Sequence, residues 1–233
     1  MARNEPFHLP SLLRERADKS YGRSKRARTR RALIAATAFQ MERIGYERLT
    51  IEGIVEEAGL ARGTFYLYFS NRTEAAVAVY RVFAAMIRIR RPRRIKGRSR
   101  YESLYDINLF YVRCYRQNAR ILVGRQMHVQ DWPGFDAYMD TLNIRWARTI
   151  LRDLARYRNL PPETTSDYRS MLAARAMIAM SDELLRKAVV LDDPTIPGTP
   201  ERDEALAEVM SIMWYRGLYG AHPPDAPPLL GEG

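Results

Sequence analysis

Apolar residues recur at three- and four-residue steps along most of the chain, the spacing of amphipathic helices rather than of strands. From Ser24 onward Leu33, Ile34, Thr37, Ala38, Met41 and Ile44 follow this rule, and Gly45 supplies a helix stop. Thr50 stands where an N-cap belongs, ahead of Ile51, Ile54 and Val55, and Gly59 ends that short helix. A third short helix fits Arg62 to Tyr68. A fourth starts near Arg72 and runs through Ala76, Val79, Tyr80, Phe83 and Ile87 until Pro92. Further on, the periodicity predicts helices over roughly 101–119, 120–130, 135–158, 165–190 and 201–217, about nine in all.

No strand pattern and no repeat of solenoid length interrupts this series, so the fold class is all-α. The expected architecture is an N-terminal three-helix helix-turn-helix domain plus a larger C-terminal helical bundle. Residues 1–22 read as a flexible basic extension, 23–72 as the helix-turn-helix domain and 73–100 as a connecting helix and basic loop. Residues 101–220 read as the larger domain and the Pro-rich 221–233 as a disordered tail. Within the larger domain Met171, Ala174, Ile178, Ser181, Leu185 and Ala188 form a seam of small and apolar groups. Leu206, Val209, Met210 and Met213 form a second stripe. A lone domain exposing both would be unusual, so a homodimer closing a four-helix bundle is expected.

Charge sharpens this picture. The chain of 233 residues carries a formal net charge of +11. Residues 1–100 hold 23 Lys or Arg against 9 Asp or Glu, whereas residues 101–233 hold 15 against 18. Such an asymmetry points to an N-terminal part that meets a polyanion. Cys114 is the only cysteine, which excludes an intrachain disulfide and fits a cytoplasmic location. No apolar run is long enough to span a bilayer, and no membrane partner is expected. His8, His128 and His222 are scattered, and phosphate-loop, dinucleotide and nucleophile-elbow motifs are absent, so neither enzyme activity nor a metal or cofactor is expected. A small helical enzyme with an incidental basic arm is the alternative in another class.

The segment from Leu49 to Arg72, LTIEGIVEEAGLARGTFYLYFSNR, carries the chemistry. Phe65 and Phe69, four apart, give its last helix a core face, which turns Arg62, Gly63, Thr64, Tyr66, Leu67 and Tyr68 outward or to the rim. That set is a poor solvated face and a good groove-facing one. Arg pairs with guanine in bidentate fashion, Thr contacts a thymine methyl or a phosphate, and Tyr reaches phosphate. Gly63 lets the helix start approach the DNA backbone closely. Arg23, Lys25, Arg26 and Arg28 crowd the start of an earlier helix, where cations oppose the dipole unless an anion lies near.

With Gly45-Tyr46, Thr50, Ala58-Gly59, Gly63-Thr64-Phe65-Tyr66, Tyr68-Phe69 and Arg72 at these spacings, the segment over roughly 25–75 resembles the DNA-binding domain of the TetR family of bacterial regulators. Ala61, Gly53 and Arg72 depart from residues usual in that family. Ala61 cannot cap with a side chain, a loss of about 1 kcal/mol. The resemblance implies base or groove contacts from Arg62, Gly63 and Thr64, and phosphate contacts from Thr50, Tyr66, Tyr68 and Arg72. It also implies a palindromic duplex operator, a homodimer, and a repressor released by a small, largely apolar effector. Residues 101–220 are then the effector-binding and dimerisation domain. Their candidate pocket residues are Tyr105, Asn108, Tyr111, Met127, His128, Trp132, Tyr138 and Trp146. A DNA-binding protein with no effector is a further alternative.

Overall fold

Among its described residues, helices occupy the segments where the periodicity places them in the computed structural model. It describes residues 5–19, 22, 24–93, 97–127, 135–161, 167–196 and 202–227, the side chains of 124–127 and 135–136 excepted. Among the described residues there is no strand, and ten α-helices follow in order: α1 Leu9–Asp18, α2 Lys25–Ile44, α3 Ile51–Ala58, α4 Arg62–Tyr66, α5 Arg72–Arg90, α6 Arg100–Gln117, α7 Ala119–Met127, α8 Phe135–Arg158, α9 Tyr168–Leu185 and α10 Arg202–Tyr219. A wider π-helical turn, Arg186–Val190, continues α9.

The helix beyond the expected nine is α1, which corrects the reading of residues 1–22 as a flexible extension. Leu9, Leu12 and Leu13 recur at helical spacing and are buried with Phe7, while Pro10 sits in the first turn, where its missing N–H costs nothing. Asn118, itself buried, fastens the segment. Its Oδ1 accepts from the Leu9 amide at 2.7 Å, and its Nδ2 donates to the Phe7 carbonyl at 2.8 Å and to that of Cys114 at 2.7 Å. On the far side of α1, Arg14 pairs with Glu57 of α3 at 2.6 Å.

Two compact units divide the chain, residues 1–91 with 113–133 and residues 92–112 with 134–233. The expected boundary near Arg100 is therefore displaced. Residues 113–133 group with the N-terminal unit, where the Tyr80 hydroxyl donates to the Ile121 carbonyl at 2.5 Å and Phe83 meets Tyr115 edge-on. Burial pushes the Cys114 thiol there up to about 12, and it packs as an inert apolar group.

In the second unit Ala147, Leu151, Ala174, Ile178, Trp214 and Leu218 form the core, and the Trp214 indole donates to Ser181 at 2.7 Å. This corrects the expected dimer seam. Ala174, Ile178, Ser181, Leu185 and Ala188 are buried within the protomer, as are Leu206 and Met210. Of the residues named, only Val209 and Met213 face solvent. Position 98 is more ordered than a solvated loop requires, since Arg98 pairs with Asp106 at 2.8 Å. A capping box starts α6, with Ser99 and Glu102 each accepting from the other's amide. In the tail, His222 accepts from Arg216 at 2.7 Å and Pro223 is buried, so its described part is tied to α10.

Candidate nucleic-acid interface

The helix-turn-helix is built from α3, a turn and α4. Gly45 closes α2 at φ 82° and ψ 163°, and a Cβ there would lie 2.8 Å from the Glu47 carboxylate. Thr50 caps α3, its Oγ1 accepting from the Gly53 amide at 3.0 Å. A Cβ at residue 53 would sit 3.2 Å from that same hydroxyl, which gives the glycine inside this helix a steric reason. Gly59, at φ 63°, takes the left-handed conformation that turns the chain into α4. Ala61 provides no side-chain cap, and α4 extends over five residues, shorter than the span to Tyr68.

Phe65 and Phe69 are buried with ring centroids 5.7 Å apart, anchoring α4 on the core. Beside that buried pair, Arg62 and Gly63 are exposed, with Tyr66 at 48% exposure and Leu67 at 72%. Thr64 and Tyr68 are half-buried at its rim. Arg62 pairs with Glu52 of α3 at 2.7 Å and donates to the Tyr66 hydroxyl at a long 3.4 Å. First that hydroxyl and then the carboxylate raise its pKa further above the ordinary arginine value. The sequence reading did not foresee the Glu52 contact. It needs the crossing of α3 and α4, which residue spacing alone does not supply.

Lys25, Arg26 and Arg28 are exposed at the start of α2, which Ser24 caps by accepting from the Ala27 amide at 3.3 Å. Arg23 lies outside the described residues. Arg72 is turned inward. It donates to the carbonyls of Glu47 and Leu49 at 3.1 and 2.5 Å and covers the Tyr46 ring, a bracing role in place of the expected outward reach.

Of the candidate pocket residues, Tyr105, Asn108, Tyr111, Tyr138 and Trp146 belong to the second unit. Tyr111 meets Trp146 edge-on with centroids 5.5 Å apart, and Tyr105 leans on Tyr101. Asn108 is buried and donates to Ser211 at 2.9 Å. That bond explains it as part of the core. His128, Trp132 and the side chain of Met127 lie outside the described residues. Among the described residues no group of three or more His, Cys, Asp or Glu is placed to hold a metal, and no helix is long and apolar enough to cross a membrane.

A three-helix head with this turn, and a short Arg-Gly-Thr-Phe-Tyr helix that buries Phe65 and exposes Arg62, Gly63 and Tyr66, is a helix-turn-helix domain of the DNA-binding type. Residues 33–79 match bacterial regulatory proteins, tetR family. The head is thus a TetR-family domain, and the chain has a TetR-like fold, an N-terminal helix-turn-helix domain with a C-terminal helical domain. Among solved structures it is similar to a transcriptional regulator from Rhodococcus sp. Rha1, with a TM-score of 0.59, 18% identity and coverage of 81% of this chain and 96% of that one. It is also similar to the fatty acid degradation regulator FadR from Bacillus halodurans (0.56, 17%, 84% and 97%). A third is a TetR-family transcriptional regulator from Haemophilus influenzae (0.52, 20%, 81% and 97%). No curated protein matches the chain in sequence.

Proposed function

We propose that this chain is a transcriptional regulator, a repressor, that binds a palindromic duplex operator as a homodimer and releases it when a small, largely apolar effector binds. The observation that carries the DNA-binding part is the outward face of α4. A helix that exposes Arg62, Gly63, Tyr66 and Leu67 while burying Phe65 and Phe69 is shaped for a groove, not for water. Lys25, Arg26 and Arg28 of α2 add phosphate contacts, with Thr50, Thr64 and Tyr68 at the rim. The half-buried aromatic residues Tyr105, Tyr111, Tyr138 and Trp146 support an apolar effector in the second unit.

The test is selection of duplexes from a random library by the full chain. Enrichment of a two-fold symmetric sequence is expected, with half-sites about one helical repeat apart or a multiple of it. Affinity for it should fall steeply with salt. Small molecules that raise the melting temperature are then titrated into the complex. One with unequal affinity for the free and bound forms dissociates it. Failure to enrich any duplex would overturn the DNA-binding reading. Operator affinity unmoved by every stabilising ligand would overturn the effector reading.

A further inference from the structure

We infer that Glu52 is a specificity-determining residue, a buttress that aims Arg62 at a base and keeps it from serving phosphates. The inference rests on the DNA-binding reading above and adds a residue to it.

The Glu52 carboxylate on α3 lies 2.7 Å from Nη1 of Arg62 on α4, and the Tyr66 hydroxyl lies 3.4 Å from Nη2. The Arg62 and Glu52 side chains are 62% and 61% exposed, so the pair stands at the solvent edge of the outward face. An ion pair so exposed contributes little to stability. Nor does Glu52 need a cation at its position. It occupies the first turn of α3, where the helix dipole already favours a carboxylate. The pair therefore has its main consequence at the surface that meets DNA.

Two consequences follow from charge and geometry. A guanidinium has five N–H donors in one plane, so Arg62 can keep Glu52 on one edge and offer another edge to guanine O6 and N7. Held between Glu52 and Tyr66, it also loses rotamers that would swing it to the backbone. Paired with a carboxylate, Arg62 brings no net positive charge and releases no counterion at a random phosphate. Glu52 thus lowers affinity for every wrong duplex while leaving the base contact available.

The test uses the full chain, the duplex that the wild type enriches, and a scrambled duplex of the same length and composition. Binding is followed by fluorescence anisotropy over a range of salt. In Glu52→Gln the scrambled duplex should bind about three- to fivefold more tightly, with its salt slope steeper by ~0.9, one further phosphate. The selected duplex should bind about as before, and the ratio between them should fall by the same three- to fivefold. Glu52→Asp keeps the charge and the helix-start acid but withdraws the carboxylate by one methylene, so the ratio should fall as in Glu52→Gln while the salt slope stays near that of the wild type. It also decides the matter should Glu52→Gln fail to fold. In an Arg62→Ala background neither substitution should change the ratio. The inference is overturned if Glu52→Asp matches the wild type while Glu52→Gln strengthens both duplexes equally, which is plain charge repulsion. It is overturned too if the ratio stays unchanged or the effect survives without Arg62. A wild type that enriches no duplex at all would instead sink the DNA-binding reading, and this inference with it.

Discussion

Arg72 donates to the carbonyls of Glu47 and Leu49 and lies over the Tyr46 ring, whose hydroxyl pairs with Thr73 at 2.9 Å. These contacts brace the segment between α2 and α3 against the start of α5. The resemblance to the TetR family implies that the same cation is a phosphate ligand. Hydrogen bonds from a charged donor contribute more than neutral ones, so Arg72→Ala should destabilise the protein by about 1–3 kcal/mol in urea unfolding. Lys cannot reproduce a fork across two carbonyls, and Arg72→Lys should recover only part of the loss. At a temperature where both variants are folded, the salt slope of DNA binding should match the wild type. A slope lower by ~1 with stability unchanged would restore the phosphate reading. Glu74 sits nearby and titrates. It accepts from the Ser70 amide and hydroxyl, both at 2.8 Å, and these bonds hold its carboxyl below the ordinary 4.5. A carboxyl lowered in the folded state adds stability above its unfolded value, and that stability is lost as pH falls through the folded one. Glu74→Gln should therefore be less stable than wild type at pH 7, with the gap closing below about pH 4.5 in thermal melts. A gap that stays constant would show that the ionised form is not what matters.

Among the helices, α1 is the one that sequence reading passed over, although Leu9, Leu12 and Leu13 and a first-turn Pro are visible in the chain. Its apolar stripe is short and the surrounding charges hide it. Its anchor, Asn118, lies more than a hundred residues away, a separation that periodicity cannot bridge. Boundaries set by local chemistry were legible, as at Gly45, Thr50 and Gly59, because a cap or a positive φ names its residue type. Burial in the bundle was not. Ala174, Ile178 and Ser181 satisfy a helical stripe equally well against a partner or against Trp214, and only the packing decides between them. The direct element-scale check is Asn118→Ala. It strips the Leu9 amide and two carbonyls of their partner in a buried site, at a cost of about 2–4 kcal/mol. Hydrogen exchange at the Leu9 amide should rise by orders of magnitude while α9 and α10 stay protected. Protection of Leu9 unchanged would mean that the apolar face alone holds α1.

At the scale of the whole molecule, an excess of cations over residues 1–100 meets a slightly acidic remainder, so the charge that suits a polyanion lies in one part of the chain. In the second unit the outward faces of α9 and α10 carry Leu172, Ala173, Ala176 and Ala179, and Val209 and Met213. Gly217, one turn further along α10, packs against α9 of the same protomer, where a Cβ would lie 2.5 Å from the Met177 sulfur. Small and apolar groups on two long helices make a surface that water covers poorly and a second copy covers well. Two copies related by a two-fold axis would close a four-helix bundle and match a palindromic operator by the same symmetry. Met213 is 42% exposed, so Met213→Glu should leave the protomer's fold and melting cooperativity intact. In a dimer it sets carboxylates into an apolar interface, and sedimentation at micromolar concentration should shift from dimer to monomer. Because a dimer presents its second head at an effective concentration near millimolar, the monomer should bind the full operator about a hundredfold more weakly or worse, and an isolated half-site as well as before. A wild type that sediments as a monomer, or a Met213→Glu variant that remains dimeric with operator affinity intact, would place the interface elsewhere.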